Sequence, residues 1–389
     1  MTYCKNLVFA AACIGMLLFG ISLLSLGSLL PSIAARFQLD GIATGALVSA
    51  LPFGLLGGSM VFGPLVDRFG YKLLLLLSAL AVIGGLEAIA FAPSVAVLRF
   101  AIVVIGFAGG ILNGGTNALV ADISAGDRGA KLSLLGVFFG VGALGMPVLL
   151  GTLRGVEHAT VLSGIGAALL LPVLYIGLIR FPLPKQAQGF PLAQGLGLVR
   201  DGALLAIALT LALQSGIEGV VNNWSTTYLE GARGIAPSAA LLALSAYVAG
   251  MTVTRLVLAA VLRSVSSGRV IFMGIGCTAL GIAVVANAPS AMAAGAGLAL
   301  MGAGLAAAFP LLMGYVADLY PAISGTAFSV VLAIALPGNM LLNYLMGVLK
   351  DWAGARYLPP YLGACLALQV VIATVAVRAY QRRTSDAGR

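Results

Sequence analysis

Charged residues are scarce in this chain of 389 residues, since aspartate, glutamate, lysine and arginine together make up only 8% of it. Soluble globular domains carry about 25% charged residues. Hydrophobic residues make up 61% of the chain, and its mean hydropathy is +1.09. The composition therefore excludes an ordinary water-soluble protein and predicts that lipid surrounds most of the chain.

The residues that usually bind metals or perform catalysis are also scarce. There is one histidine, and the four cysteines lie in or beside apolar runs without the spacing of a metal site. We therefore predict no metal, no cofactor and no catalytic residue, and we do not expect an enzyme. The net charge of +9 does not indicate a nucleic-acid partner, because the basic residues do not cluster on a soluble module.

Long apolar runs fill the chain instead. A membrane-spanning helix takes about 20 apolar residues, and the sequence divides into twelve such runs with no room for a soluble domain. We therefore predict an all-α membrane protein. The predicted spans are 7–33, 42–66, 72–91, 95–120, 132–153, 159–179, 203–224, 237–262, 270–286, 291–316, 325–348 and 360–379.

The distribution of lysine and arginine predicts the orientation of these spans. With the N-terminus in the cytoplasm, 14 basic residues fall in cytoplasmic segments and 5 fall outside. Cytoplasmic segments of membrane proteins carry an excess of lysine and arginine. The bias predicts a multi-pass protein of the cell membrane (the inner or plasma membrane) with both termini in the cytoplasm.

The two halves of the chain repeat each other at a constant offset of 196 residues. Under this shift the tripeptide Ala-Pro-Ser at 92–94 falls on the same tripeptide at 288–290, and Ala-Asp at 121–122 falls on Ala-Asp at 317–318. We therefore predict two six-helix bundles that are parallel pseudo-repeats, residues 1–180 and 201–389, joined by a cytoplasmic linker over 181–200. Transporters built from such repeats bind their ligands where the repeats meet.

The turn after the second span carries a recognisable motif. Residues 63–72 read Gly-Pro-Leu-Val-Asp-Arg-Phe-Gly-Tyr-Lys. This resembles the loop motif of the major facilitator superfamily, Gly-x-Leu-a-Asp-r-x-Gly-r-k, and departs from it at Tyr71, where the family more often has a basic residue. The resemblance implies the twelve-helix major facilitator fold and transport by alternating access.

The motif also implies residues that gate the cytoplasmic side. We expect Asp67 to contact the N-terminus of the helix that begins near Gly325, whose dipole favours a carboxylate. Arg68 and Lys72 are expected to pair with Asp122. A solvated charged turn that only fixes topology is the alternative interpretation. The predicted gating residues are Gly63, Asp67, Arg68, Gly70, Lys72 and Asp122.

The seventh span resembles a narrower group within the superfamily. Gly216-Ile-Glu218, followed by Trp224 and then by Tyr228-Leu229, is similar to the pattern of the fucose-permease-like sugar transporters. The segments 114–122 and 309–310 are similar to that group too. Proton-coupled members of the group carry acids in the first and fourth spans, and this chain has none in either, so the sequence leaves proton coupling open.

Polar residues recur four positions apart on three of the spans, which places them on one face of each helix. In the family's arrangement these helices line or adjoin the cavity. Amides, a carboxylate and an indole suit a ligand rich in hydroxyl groups, and no lysine or arginine is predicted among them to clamp an anion. The predicted substrate-binding residues are Asn113, Asn117, Gln214, Glu218, Asn222, Trp224, Asn339 and Asn343.

Two acids are candidates for proton coupling. Glu218 is open to three roles: binding sugar hydroxyls, carrying a coupling proton, or both. Glu87, near the outer end of the third span, is the second candidate and is also expected to pair with Arg99. A buried hydrogen-bond network that only ties helices together is the alternative for the polar residues of the seventh span.

We therefore expect a monomeric transporter that moves a neutral polyhydroxylic solute, a monosaccharide or a derivative of one, by alternating access, with or without protons. Its partners are this small-molecule substrate and the lipid bilayer. A proton-driven exporter of amphipathic compounds is the alternative within transport. A non-transporting membrane sensor or scaffold is the alternative from another class.

Overall fold

The computed structural model describes residues 3–39, 41–124, 126–152, 158–183 and 197–387. The described residues form helices and short connections, with no strand among them. The helices are α1 (Lys5–Phe37), α2 (Gly41–Phe69), α3 (Tyr71–Ala90), α4 (Val95–Ile123), α5 (Arg128–Thr152), α6 (His158–Leu178), α7 (Gly202–Arg233), α8 (Pro237–Val261), α9 (Ser267–Ala286), α10 (Ala291–Leu305), α11 (Ala308–Leu319), α12 (Ser324–Ala353) and α13 (Leu358–Ala387).

These helices coincide with the predicted spans. Within the described residues, eleven stretches are long and apolar enough to cross a membrane, and each contains one of the predicted spans or most of it. The remaining predicted span, 132–153, falls mainly on α5, part of which lies beyond the residues whose side chains are described. The all-α class and the positions of the spans are thus confirmed.

One predicted span is divided into two helices. The sequence predicts a single helix over 291–316, but α10 ends at Leu305 and α11 begins at Ala308. Pro310 explains the division, because it has no N–H to donate to the carbonyl of Ala306 and its ring crowds that carbonyl. The interruption lies at the centre of the 29-residue span Ala291–Leu319.

The chain packs as two compact units. The first unit contains the described parts of Met1–Ala125, Leu135–Leu196 and Tyr320–Leu332. The second contains those of Gly126–Leu134, Gly197–Leu319 and Ala333–Arg389. The predicted division of the chain at a linker over 181–200 stays a prediction, because residues 184–196 lie outside the described residues.

The sequence repeat reappears as repeated local structure within the units. Ser94 and Ser290 both cap the following helix with extended backbones, and each hydroxyl accepts a hydrogen bond from the N–H three residues on. Gly54 of α2 lies against the backbone of α4, and Gly250 of α8 lies against the backbone of α10. A Cβ at either glycine would overlap a carbonyl oxygen, so glycine is required for these helices to pack closely.

Two short segments, 126–134 and 320–332, each pack in the unit that is formed mainly by the other half of the chain. These segments correspond to each other under the 196-residue shift. In the second unit, the Ser133 hydroxyl donates to the carbonyl of Arg255 at 2.9 Å. In the first unit, the Ser329 hydroxyl donates to the carbonyl of Ser59 at 2.6 Å. Ser133 and Ser329 differ by 196 in residue number, and so do Ser59 and Arg255. The same contact therefore occurs once in each unit.

Candidate functional site

Helices α7 and α12 approach each other closely inside the second unit because small residues line their contact. A Cβ at Gly216 would overlap the side chain of Leu342, and one at Gly338 would lie 2.5 Å from the Cβ of Ala212. A Cβ at Gly219 would lie 2.5 Å from the Nδ2 atom of Asn343. The glycines of α7 therefore leave room for the amide side chains of α12 against the α7 backbone.

A chain of amides links these two helices. The Nδ2 group of Asn339 donates to the carbonyl of Ser215 at 2.5 Å and to its hydroxyl at 3.0 Å. Asn343 Nδ2 donates to Asn339 Oδ1 at 3.1 Å, and Asn223 Nδ2 donates to Asn343 Oδ1 at 2.9 Å. The structure thus brings the predicted residues Asn339 and Asn343 to α7, and it adds Asn223 and Ser215 to them.

Gln214 is the centre of a second set of hydrogen bonds on α7. Its Nε2 group donates to the carbonyl of Leu305 at 2.7 Å and to Glu218 Oε1 at 3.3 Å. Its Oε1 atom accepts a hydrogen bond from Gln369 Nε2 of α13 at 2.7 Å. Leu305 is the last residue of α10, so Gln214 binds a carbonyl at the interruption between α10 and α11. Unwound backbone at membrane depth needs such a partner.

Helix α8 supplies two further residues that the sequence did not suggest. Arg255 and Tyr247 both interact electrostatically with Glu218. Tyr247 is 1% exposed, and its buried hydroxyl has no hydrogen-bond partner among the described residues. The sequence predicted no lysine or arginine among the polar residues to clamp an anion, and Arg255, which lies on the neighbouring helix α8, interacts with the acid Glu218.

Several polar atoms at this site have no protein partner among the described residues. They are Glu218 Oε2, the amide oxygens of Asn222 and Asn223, and the buried Nε1 group of Trp224. The Nδ2 group of Asn222 donates to the backbone carbonyl of Glu218 at 3.1 Å, which is a local contact on α7. The site thus offers three acceptors and the donor of an indole to a ligand.

The remaining predicted polar residues lie in the first unit. Asn117 is 2% exposed, and its Nδ2 group donates to the carbonyl of Asn113 at 2.8 Å and to its Oδ1 atom at 3.2 Å. Glu87 accepts a hydrogen bond from the Ser163 hydroxyl of α6 at 2.7 Å, where the sequence predicted a pair with Arg99. The structure therefore groups five of the eight predicted binding residues through hydrogen bonds on α7 and α12, and places Asn113 and Asn117 together on α4.

Trp224, the remaining predicted binding residue, packs beside α12. Atoms Cζ2 and Cη2 of its ring would lie 3.4 and 3.5 Å from a Cβ at Gly347. The Trp224 side chain is partly exposed. Gly347 lies four residues after Asn343 on α12, so the indole packs one turn along that helix from the amides.

The predicted contact of Asp67 with the start of a helix is present in the first unit. Its Oδ2 atom accepts hydrogen bonds from the backbone N–H of Thr326 at 2.9 Å and from the Thr326 hydroxyl at 2.6 Å. Thr326 lies in the first turn of α12, where backbone N–H groups lack partners within the helix. A Cβ at Gly63 would overlap the carbonyl of Gly325, so the motif glycine permits this approach.

The motif's neighbour Asp122 has two hydroxyl partners that the sequence did not predict. It accepts hydrogen bonds from the hydroxyl of Tyr71 and, at 2.7 Å, from the hydroxyl of Ser324. Tyr71 is the position at which the motif departs from the family, and its phenol donates to Asp122. Gly70 has a φ of 81°, which explains the motif's second glycine, because L side chains avoid this region.

Asp318 of the second unit corresponds to Asp122 of the first unit under the 196-residue shift. It forms an ion pair with Arg128 of α5, and its Oδ2 atom accepts a hydrogen bond from the Tyr380 hydroxyl at 2.8 Å. The Tyr380 ring stacks on Tyr315, with centroids 3.7 Å apart. In each unit, an aspartate near the end of a helix therefore accepts a hydrogen bond from a tyrosine hydroxyl: Asp122 of α4 from Tyr71, and Asp318 of α11 from Tyr380. Asp318 also forms the ion pair with Arg128.

Comparisons with known proteins agree with this architecture. The Major Facilitator Superfamily model matches residues 12–335. An uncharacterized transporter of Sinorhizobium fredii (strain NBRC 101917 / NGR234) is 25% identical over 366 residues, which cover 93% of this chain and 96% of that protein. The galactose-proton symporter of Escherichia coli (strain K12) is 31% identical over 138 residues, 35% of this chain and 30% of that protein.

Solved structures show the same fold. The crystal structure of a variant of the E. coli fucose:proton symporter FucP matches with a TM-score of 0.77 and 18% identity, covering 95% of this chain and 98% of that chain. This likeness confirms the predicted twelve-helix fold. The chain belongs to the major facilitator superfamily of membrane transporters.

Proposed function

We propose that this transporter moves a neutral polyhydroxylic solute, a monosaccharide or a close derivative, by alternating access. The polar residues of α7, α8 and α12 bind the solute. One observation carries the proposal: Glu218 Oε2, the amide oxygens of Asn222 and Asn223, and the Trp224 N–H have no partner among the described residues, although their neighbours are hydrogen-bonded. A sugar hydroxyl both donates and accepts, so adjacent hydroxyls satisfy acceptors and donors arranged in this way.

The charge at the site supports a neutral cargo. The carboxylate of Glu218 is accompanied by the guanidinium of Arg255, so the pair leaves no excess charge for an ionic ligand to neutralise. The amides of Asn339 and Asn343 are already bonded to α7 and to each other, which fixes the positions of the atoms that remain open. The Trp224 ring offers an apolar face for the C–H face of a sugar.

The names of similar proteins support the same class of cargo. The partial relative from E. coli transports galactose with protons, and the structural neighbour FucP transports fucose with protons. Proton coupling here would fall to Glu218 or Glu87, because the predicted first and fourth spans contain no acid. Glu218 lies beside Gln214 at 3.3 Å and interacts electrostatically with Arg255, whereas Glu87 accepts a hydrogen bond from the Ser163 hydroxyl.

The proposal is tested by screening the purified protein for thermal stabilisation by monosaccharides, sugar alcohols and amphipathic cations at two pH values. A ligand that binds the folded state raises the unfolding temperature in proportion to its occupancy. We expect stabilisation by one or more sugars, and uptake of the same sugar into proteoliposomes. Stabilisation by amphipathic cations alone, with no sugar uptake, would contradict the proposal and favour the exporter.

A further inference from the structure

A groove on the second unit has the chemistry of a phospholipid-binding site. It lies between the start of α9 and the last turns of α13 and has a volume of about 780 Å³. Its cationic lining residues are Arg269 and Arg378, both exposed. None of the described residues that line it is acidic, and neither guanidinium forms a described ion pair or hydrogen bond.

The polar end of this groove is suited to a phosphate. Ser266 precedes α9, and its side chain does not cap the helix, so the first N–H groups of α9 are open to an anion. Gln381 adds an amide on the opposite helix, α13. Two guanidiniums and a helix N-terminus together form a set of donors that matches a tetrahedral phosphate.

The other end of the groove is apolar and continues into an exposed apolar surface that is expected to contact lipid. Phe272 and Met273 line it, and the Met273 side chain is 61% exposed. Further along the same helices, Leu280 of α9 is 56% exposed and Val371 of α13 is 62% exposed. Exposed apolar side chains along two spanning helices are expected to face acyl chains.

Depth in the bilayer agrees with this assignment. The distribution of basic residues predicts that Arg269 and Arg378 lie at the cytoplasmic ends of their helices, at the level of the headgroups. Basic pockets between spanning helices on that side bind anionic headgroups. We propose that the groove between α9 and α13 binds the phosphate headgroup of an anionic glycerophospholipid, with one acyl chain lying over Phe272 and Met273.

The groove is separate from a second basic cavity in the same unit, which is lined by residues of α5, α8 and the segments beside them. That cavity is lined by Arg128, Lys131, Arg255 and Arg263, but also by Asp127. Arg128 is bound to Asp318, and Lys131 lies 3.3 Å from Asp127. Two of its four cations are therefore paired with acids of the protein, whereas neither arginine between α9 and α13 forms a described ion pair.

The test measures binding of phosphatidylglycerol to purified protein in neutral detergent by native mass spectrometry and by thermal shift. The double variant Arg269→Gln with Arg378→Gln removes both guanidiniums. The matched control, Lys350→Gln with Arg356→Gln, removes two cations from the opposite end of the protein. We expect the affinity to fall about fivefold for each groove arginine, equal to about 1 kcal/mol each, and to stay within about twofold for the control.

Binding of three further ligands shows whether the groove recognises a lipid or a free phosphate compound. Phosphatidylcholine, inorganic phosphate and glycerol 1-phosphate are expected to bind the wild type weakly, because each lacks either the net charge or the acyl chain. Equal phosphatidylglycerol binding by the groove variant, or an equal loss in the control, would overturn the proposal. Saturation by glycerol 1-phosphate that phosphatidylglycerol does not displace would overturn it as well.

A second variant keeps the test valid should the double variant be unstable. Arg378→Glu places a carboxylate in the groove and is expected to weaken phosphatidylglycerol binding more than Arg378→Gln does. Its unfolding temperature without added lipid serves as the folding control, since Arg378 is exposed. If Arg378→Glu folds normally and binds the lipid as the wild type does, the site is not at this groove.

Discussion

The contact of α7 with α12 in the second unit and that of α1 with α5 in the first unit share a geometry and differ in chemistry. Gly216 and Gly338 permit the first contact, and their repeat-related residues Gly20 and Gly142 permit the second, where each Cβ would overlap backbone atoms of the opposite helix. The packing of small residues has therefore been preserved in both halves.

The side chains next to these glycines are more polar in the second unit than in the first. Gln214 corresponds to Leu18 and Glu218 to Ser22 under the 196-residue shift. Leu18 is fully buried, and Ser22 only returns its hydroxyl to the Leu18 carbonyl at 2.7 Å. Helix packing and polar chemistry are thus separable: the duplicated glycines are present in both units, whereas of these related positions only Glu218 carries a carboxylate.

The largest predicted effect concerns Glu218, the acid that distinguishes the second unit from the first at these positions. Glu218→Gln keeps the shape of the side chain and removes the negative charge that would accept hydrogen bonds from sugar hydroxyls. Hydrogen bonds to charged groups contribute about 1.5–3 kcal/mol. We therefore expect sugar uptake into proteoliposomes to fall by about ten- to a hundredfold. The matched control Ser22→Ala alters the related position of the first unit and should leave uptake within about twofold.

A fall in uptake as large for Ser22→Ala as for Glu218→Gln would show that both units carry the chemistry. Unchanged uptake in Glu218→Gln would remove this residue from the site. The unfolding temperature of each variant should be recorded, so that loss of folded protein is not mistaken for loss of transport.

The two units also differ at the turn motif, which gives a second prediction. Asp67 binds the first turn of α12, whereas its repeat-related residue is Arg263, which is exposed. Asp67→Asn should destabilise the protein by about 1.5–3 kcal/mol, because a buried charged acceptor loses its charge. Arg263→Gln should change the unfolding temperature little.

The same pair of variants tests the gating role. In a background without native cysteines, a single cysteine at the exposed Ser264 reports access of a thiol reagent from the predicted cytoplasmic side. We expect Asp67→Asn to change its labelling rate more than it changes sugar affinity. The opposite order would assign Asp67 to the binding of the cargo.

The shared scaffold predicts equal effects where the units are alike. Gly54→Ala and Gly250→Ala each place a Cβ against a carbonyl oxygen and should lower the unfolding free energy by about 1–3 kcal/mol. Gly84→Ala and Gly276→Ala are the controls, because a Cβ there meets nothing within 4 Å. A loss confined to one of the two units would mean that only that unit depends on close packing.

The smallest effect concerns two neighbouring amides. Asn223→Ala removes a hydrogen bond between α7 and α12 and should reduce stability by about 0.6 kcal/mol, the average for such bonds in membranes. Asn222→Ala removes only a contact within α7 and should have no measurable effect on stability. A chemical-denaturation series on both variants, with a larger loss for Asn222, would reverse their assigned roles.

The sequence predicted the spans, the repeat and the Asp67 contact because each depends on local pattern or on a motif. Hydropathy determines which segments enter the bilayer, and a constant offset shows duplication whatever the packing. The class of the fold followed from these alone, and the interruption at Pro310 was missed because apolar residues continue on both sides of it.

The membership of the site was only partly predictable. Spacing by four identified Asn222 on the face of Glu218, but Asn223 bonds to α12, because the rotation of α7 against its neighbour decides which amide faces that helix. Tyr247, Arg255 and Gln369 come from helices whose own sequences give no polar periodicity. Their convergence depends on tertiary packing, which a single helical pattern does not contain.

The interruption after Leu305 has a consequence for the synthesis of the protein in the membrane. At 1.5 Å per residue, neither the 15 residues of α10 nor the 12 residues of α11 reach across a hydrocarbon core of about 30 Å, so the two must enter the bilayer as one segment. The Leu305 carbonyl then arrives in lipid and binds Gln214, which lies in a helix made earlier. Helix α7 therefore has to be inserted and positioned before this later segment can mature, which makes the order of insertion a requirement of the fold.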